Sequence, residues 1–235
     1  MTKQAIRERV WSTLEADGIA RFPFPVEGRI PNFAGAAEAA DRLADTPEWD
    51  AAATVKANPD SPQRPVRRNA LAAGKTVYMA VPRLRDAECF RRLDPAVIDD
   101  YDHATTIGGS AEVGVQVGPD AVESIDLIVA GSVAVTPDGA RIGKGEGYSD
   151  LEYAILRELD LVDRNTPLVT TVHDRQVIDD DVPTAAHDVP LDLVVTPTRT
   201  IRPDAREKPA GLLWDQLDAE RVEEIPVLRT LRGNR

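Results

Sequence analysis

Between Asp138 and Asp150 the chain reads Asp-Gly-Ala-Arg-Ile-Gly-Lys-Gly-Glu-Gly-Tyr-Ser-Asp. Glycines recur at every second position, Gly143, Gly145 and Gly147, with Arg141 and Lys144 beside them. Glycine lets a main chain approach an anion with no Cβ in the way. Converging backbone N–H groups and a following helix N-terminus add positive potential. Two cations in the same stretch suit a polyphosphate better than a neutral ligand. The spacing matches neither G-x-x-x-x-G-K-[ST] nor G-x-G-x-x-G, so those two phosphate loops are not implied. A glycine-rich turn with ordinary surface charges is the competing reading.

Such a loop needs a scaffold. Residues 125–130 form an apolar run of strand length, and residues 151–161 read as a helix. The glycines therefore fall on a strand-to-helix loop. At the start of the chain, Ile6, Val10, Trp11 and Leu14 repeat at helical spacing and predict a helix over 3–17. Lys3 and Arg7 stand i, i+4 on it, so one face presents both charges; a solvated helix start is the plainer reading of that pair. Further helices are expected over 35–45 and 65–73, and strands over 53–57, 76–81, 113–117, 167–172 and 191–195. Residues 86–92 and 94–103 read as short helical or loop pieces. Strands alternating with helices imply an α/β fold with a mainly parallel sheet covered on both faces.

Composition narrows the partners. The chain has 235 residues and a net charge of −12. Nucleic acid and anionic membrane are poor partners for such a surface. No apolar run approaches the ~18 residues of a membrane span and no signal segment is evident at the start, so a cytoplasmic location is expected. The single cysteine, Cys89, excludes an internal disulfide and a cysteine-based metal cluster; it reads as a small semi-buried residue. Lysine occurs at only five positions, and the other 23 of 28 basic residues are arginine. High acidity with scarce lysine looks like adaptation to high salt. Two of those scarce lysines, Lys3 and Lys144, fall among the residues already singled out.

The glycine loop resembles that of the 5-formyltetrahydrofolate cyclo-ligase family, roughly D-x-x-G-x-R-L-G-x-G-x-G-Y-Y-D. Gly139, Arg141, Gly143, Gly145, Gly147, Tyr148 and Asp150 stand at matching places. Lys3-x-x-x-Arg7 is similar to the family's opening. Thr166-Pro167, Gln176-Val177 and the run from Pro183 through His187-Asp188 to Thr196 are similar to its closing segment. The three motifs lie in the family's order across residues 3–196. The resemblance implies a single three-layer α/β/α domain of the kind shared by cyclo-ligases, ribose-5-phosphate isomerase and CoA-transferases. It assigns residues 1–196 to that domain and leaves 197–235 as a C-terminal extension packed on it. It implies a Mg-ATP-dependent enzyme that converts 5-formyltetrahydrofolate to 5,10-methenyltetrahydrofolate, with ADP and phosphate released. ATP would be held by Lys3, Arg7, Arg141, Gly143, Lys144, Gly145, Gly147 and Tyr148. Of these, Arg141, Lys144 and Tyr148 would act in catalysis. Asp150 and Asp188 would bind Mg²⁺, with a plain helix cap as the rival role for Asp150. The small-molecule substrate would be a folate or another heterocycle.

The match is uneven. Ser149 and Leu151 stand where the family has a second tyrosine and an arginine, and Pro65 stands where it has a glutamate on the folate side. One branch of the family carries Gly-Lys-Gly-Glu-Gly-Tyr/Phe-x-Asp-Leu-Glu and Asn-Pro-Asp-x-Pro-Gln-x-x-Val-Arg, as this chain does at 143–152 and 58–67. That likeness keeps two other readings open. One is an ATP-binding relative without cyclo-ligase activity and with a different role, linked to thiamin metabolism. The other is a non-catalytic nucleotide-binding protein.

Overall fold

In a computed structural model that describes residues 1–234, helix α1 (Lys3–Ala16) begins at Thr2, whose hydroxyl accepts the Ala5 N–H at 3.2 Å. A short antiparallel ribbon follows, β1 (Ala20–Arg21) against β2 (Asn32–Phe33). Next come α2 (Ala36–Ala44), α3 (Pro47–Ala51), β3 (Thr54–Ala57), α4 (Arg64–Ala72) and β4 (Thr76–Ala80). An insertion holds β5 (Phe90–Leu93), α5 (Tyr101–Ala104), α6 (Ile107–Val113) and β6 (Val115–Val117). Strand β7 (Leu127–Val129) leads into a hairpin of β8 (Ala134–Val135) and β9 (Arg141–Ile142), then α7 (Tyr148–Glu158). Strands β10 (Leu168–Thr171), β11 (Leu193–Val195) and β12 (Thr200–Ile201) precede the closing helices α8 (Ala219–Glu224) and α9 (Pro226–Gly233).

Eight strands form one sheet in the order β12-β11-β10-β7-β3-β4-β5-β6. The strands from β11 to β4 are parallel, and antiparallel strands close both edges. Burial on both faces explains why β7 and β11 read as continuous apolar runs. Leu127, Val129, Leu193 and Val195 pack on the side of α2 and α4, while Ile128 and Val194 pack on the side of α7. This is the mainly parallel α/β arrangement that the alternating pattern predicts. Val222, Ile225, Val227 and Leu228 of the last helices join the same core as Tyr153 and Leu156 of α7. Helix α1 packs Ile6 and Val10 against Ala134 and Ile142 of the hairpin.

Three elements differ from the sequence reading or were absent from it. Residues 90–93 form a strand, not a helical or loop piece. Phe90 and Leu93 are buried and the two arginines between them are half-buried, so no alternation marks the segment. Helix α6 carries Gly108 and Gly109 near its start, which lower its local propensity. It is anchored instead by Thr106, whose hydroxyl accepts the Gly109 N–H at 2.9 Å. The third change is the hairpin β8–β9, whose two-residue strands are too short to show a period. Among the described residues no helix is long and apolar enough to cross a membrane. Burial pushes the Cys89 thiol up to about 12, so no thiolate forms near neutrality.

Forty acidic residues against 28 basic ones leave the surface self-repelling. Salt screens that repulsion, with a Debye length of about 3 Å at 1 M. Thermal melts from low to molar KCl are therefore expected to rise. A melting temperature that stays flat or falls with salt contradicts adaptation to high salt.

Candidate functional site

Strand β3 leads to its neighbour β4 on one side, while β7 leads to β10 and β11 on the other. The sheet order therefore reverses between β3 and β7, and a crevice opens beyond their C-terminal ends, the usual ligand position in open α/β sheets. A cavity of about 770 Å³ lies there. Asn58 follows β3 and Gly131 follows β7; the Gly131 N–H donates to Asn58 Oδ1 at 3.2 Å, joining the two strand ends.

All ten residues singled out from the sequence, Lys3, Arg7, Arg141, Gly143, Lys144, Gly145, Gly147, Tyr148, Asp150 and Asp188, line this one cavity. Arg141 sits on β9 rather than on the loop, so the hairpin is the rigid entry to the glycine segment. Its buried guanidinium pairs with Asp150 at 2.6 Å and donates to Gly131 O at 3.0 Å. Asp150 Oδ1 also accepts the Val189 N–H at 3.2 Å, which brings the chain around Asp188 beside it. Asp188 pairs with Lys3 at 2.6 Å.

Helix α1 lays Arg7 along the loop, where its Nε donates to Gly143 O at 2.7 Å. Gly145 and Gly147 take φ of 117° and 69°, left-handed values that side chains rarely tolerate. Among the described residues, no protein acceptor takes the backbone N–H of Gly143, Lys144, Gly145, Glu146 or Gly147. Those donors are free to bind an anion at the start of α7. Lys144 pairs with Glu146 of its own loop at 2.9 Å, both half-exposed.

Several residues at or beneath the cavity had no role assigned from the sequence. Lys56 on β3 and Glu152 on α7 form a buried ion pair beneath the cavity floor, with side chains only 1% and 7% exposed. Asn58 Nδ2 adds a long contact to Glu152 at 3.5 Å. The buried Arg67 fastens the turn after β3 by donating to the carbonyls of Asn58, Pro59 and Asp60, and to Thr105 O at 2.8 Å. Burial pulls its guanidinium down to about 10. Asp60 lines the cavity, whereas Pro65 does not. Ser149 faces the cavity and lies 3.4 Å from Asn58 Oδ1, and Leu151 is buried in the core. Arg83, at φ 59°, holds a strained position on the rim. Asn58, Asp60, Arg67 and Glu152 all fall within the two motifs, 58–67 and 143–152, that single out one branch of the family, although the sequence attached no role to them.

Among the described residues the Asp60 carboxylate has no hydrogen-bond partner. Burial pushes it above its ordinary 3.8, helped by Glu152 and opposed by Lys144, Arg67 and Lys56. The folded state thus holds this proton to higher pH than the unfolded chain does, and stability is lost as pH rises through that window. Asp60→Asn is expected to raise the melting temperature at pH 7, with the gain vanishing below pH ~3.8. An equal gain at both pH values rules out ionisation as its cause.

Asp150 and Asp188 supply hard oxygens, yet each already pairs with a cation. Among the described residues no group of three or more potential ligands could hold a metal alone. The donor set therefore fits Mg²⁺ arriving with phosphate oxygens and waters, its usual habit.

The family model for 5-formyltetrahydrofolate cyclo-ligases matches residues 2–197. The chain belongs to the 5-formyltetrahydrofolate cyclo-ligase family. Among similar relatives is a methenyltetrahydrofolate synthase domain-containing protein of Mus musculus, 46% identical over 239 residues, covering 99% of this chain and 63% of the mouse protein. The Homo sapiens protein of that name is 41% identical over 240 residues, with 99% and 62% covered. The chain thus spans a little under two thirds of these relatives' length. A solved structure, the 5,10-methenyltetrahydrofolate synthetase of Aquifex aeolicus, superposes with a TM-score of 0.56 at 21% identity, covering 88% of this chain and 96% of that one. That likeness shows the shared fold.

This cyclo-ligase relative also carries chain beyond the matched residues. The extension reaches the glycine loop, where Arg221 of α8 donates to Glu146 O at 2.7 Å. A smaller side cavity between loop and extension shares Arg83, Glu146 and Tyr148 with the main one.

Proposed function

We propose that the cavity binds Mg-ATP with its phosphates on Gly143–Gly147, and that the chain performs ATP-dependent chemistry of the cyclo-ligase type on a heterocyclic acceptor. The observation that carries this is the row of free backbone donors in the glycine loop, faced by Lys3, Arg7, Arg141 and Lys144 in one crevice. In this reading Lys144 and Arg141 neutralise charge on the transferring phosphoryl group, a stabilisation that is strongest in a site shielded from water. Mg²⁺ bound with the phosphates would add charge neutralisation, and Asp150 and Asp188 are the residues to hold it. Tyr148 would orient the phosphates at the first turn of α7. Asn58 and Asp60, across the cavity, would hold the acceptor beside them, where position within about 1 Å decides rates 10²-fold. The lead activity is conversion of 5-formyltetrahydrofolate and ATP to 5,10-methenyltetrahydrofolate, ADP and phosphate.

Ser149 and Leu151 favour a second reading. One contributes a small hydroxyl to the wall, and the other is withdrawn into the core. In this reading the site keeps its nucleotide half and takes a different acceptor, such as an intermediate linked to thiamin metabolism. Nucleotide binding without turnover is the remaining alternative.

Calorimetric titration with Mg-ATP tests the shared premise. Lys144→Ala is expected to weaken binding by roughly 1.5–3 kcal/mol, the range for hydrogen bonds to charged groups. Equal affinities, or no binding by the wild type, sink the assignment. Absorbance of methenyltetrahydrofolate then separates the readings. Turnover at least ~10²-fold below an authentic cyclo-ligase supports a different acceptor, and comparable turnover restores the lead activity.

A further inference from the structure

The backbone of Gly143–Gly147 is held from outside by two arginines. Arg7 of α1 takes Gly143 O at the entry. Arg221 takes Glu146 O at the exit, 2.7 Å away, and its guanidinium lies 4.6 Å from the Tyr148 ring centroid. Apart from the helical bond from Leu151 N–H to Gly147 O, no other backbone bond restrains the segment among the described residues. Arg221 comes from α8, beyond the residues that match the family model.

Its position is unfavourable for helix stability alone. Tyr148 is the first residue of α7, where the helix macrodipole is positive and repels a cation. A guanidinium stacked there raises positive potential where an anion would bind. It also fixes the ring and the carbonyl that set the path of Gly145 and Gly147, the two left-handed residues of the loop. A loop ordered before binding spares the conformational entropy that ligand would otherwise have to remove.

We propose that Arg221 is a positioning residue for the nucleotide loop, so that the C-terminal extension is a working part of the site rather than a covering. This rests on the nucleotide reading above, and the experiment separates the two. Backbone ¹⁵N order parameters of residues 143–148 are measured by NMR without ligand, in wild type, Arg221→Ala, Arg221→Lys and Glu223→Gln. Mg-ATP affinity is measured on the same proteins. Arg221→Ala is expected to lower the loop order parameters and to weaken Mg-ATP binding about tenfold. Arg221→Lys keeps a cation over the ring and should recover part of both effects. Glu223→Gln, on the same helix and outside both cavities, should change neither.

Loop order parameters in Arg221→Ala equal to those of wild type overturn the proposal whatever the nucleotide does. Lower order with unchanged affinity overturns it as well. A wild type that binds no Mg-ATP refutes both the nucleotide reading and the loop's proposed purpose. If order in α9 also falls in Arg221→Ala, the extension has come loose and Arg221→Lys decides. Recovery of loop order supports the brace, and its absence overturns it.

Discussion

Lys56→Met is expected to destabilise the fold by about 3–5 kcal/mol, the usual cost of stranding one member of a buried ion pair. Lys56 sits on the central strand β3, and Glu152 sits on the helix packed above it. Both side chains are almost wholly shielded, so a lone Glu152 carboxylate would keep only its long contact with Asn58. Converting both residues to apolar ones removes the stranded charge, and such exchanges are often neutral or stabilising. The double variant Lys56→Met, Glu152→Leu should therefore recover most of the loss. Urea titration of the two single variants and the double one measures the cycle. If the double variant is as unstable as Lys56→Met, the pair's geometry rather than its charge holds β3 against α7. Glu152 also accepts a long contact from Asn58 Nδ2 at 3.5 Å, and both line the cavity. The recovered double variant should then stay folded and bind its acceptor poorly.

Arg141→Met should cost a comparable ~3–5 kcal/mol, for a related reason with a different signature. Asp150 would keep the Val189 N–H but lose its cation. Arg141 also lines the cavity proposed to hold the nucleotide, unlike Lys56. A ligand at 100 times its Kd adds about 2.7 kcal/mol to stability. That increment should appear for wild type and for the Lys56→Met, Glu152→Leu variant, and should vanish for Arg141→Met. Thermal melts with and without Mg-ATP read it directly. A full nucleotide-dependent shift in Arg141→Met would remove Arg141 from the phosphate site and leave it a structural partner of Asp150.

The central layers were legible because their signals are periodic. Ile6, Val10, Trp11 and Leu14 mark α1, and the short runs rich in apolar and β-branched residues at β3, β4, β7, β10 and β11 mark buried strands. That the glycine loop, Lys3, Arg7, Asp150 and Asp188 share one cavity was legible because they lie in compact motifs. The rest of the cavity was not. Lys56 and Glu152 are 96 residues apart and meet only through the sheet-to-helix packing. Asp60 lies in the Asn58–Arg67 motif, but nothing in that motif tells that it lines the cavity. Arg91 and Arg92 hide an edge strand, because two half-buried cations in a row break the alternation. Arg221 sits in a six-residue helix of mostly charged residues, which by itself reads as surface.

The shortness of the glycine segment has a mechanical consequence. Five residues reach at most about 18 Å when fully extended. Here one end is locked into the hairpin, where Val133 N–H donates to Ile142 O at 2.7 Å, and the other end is the first turn of α7. A tether fixed at both ends moves only within that reach. A lid long enough to cover the whole cavity mouth would need a longer stretch of the cavity wall.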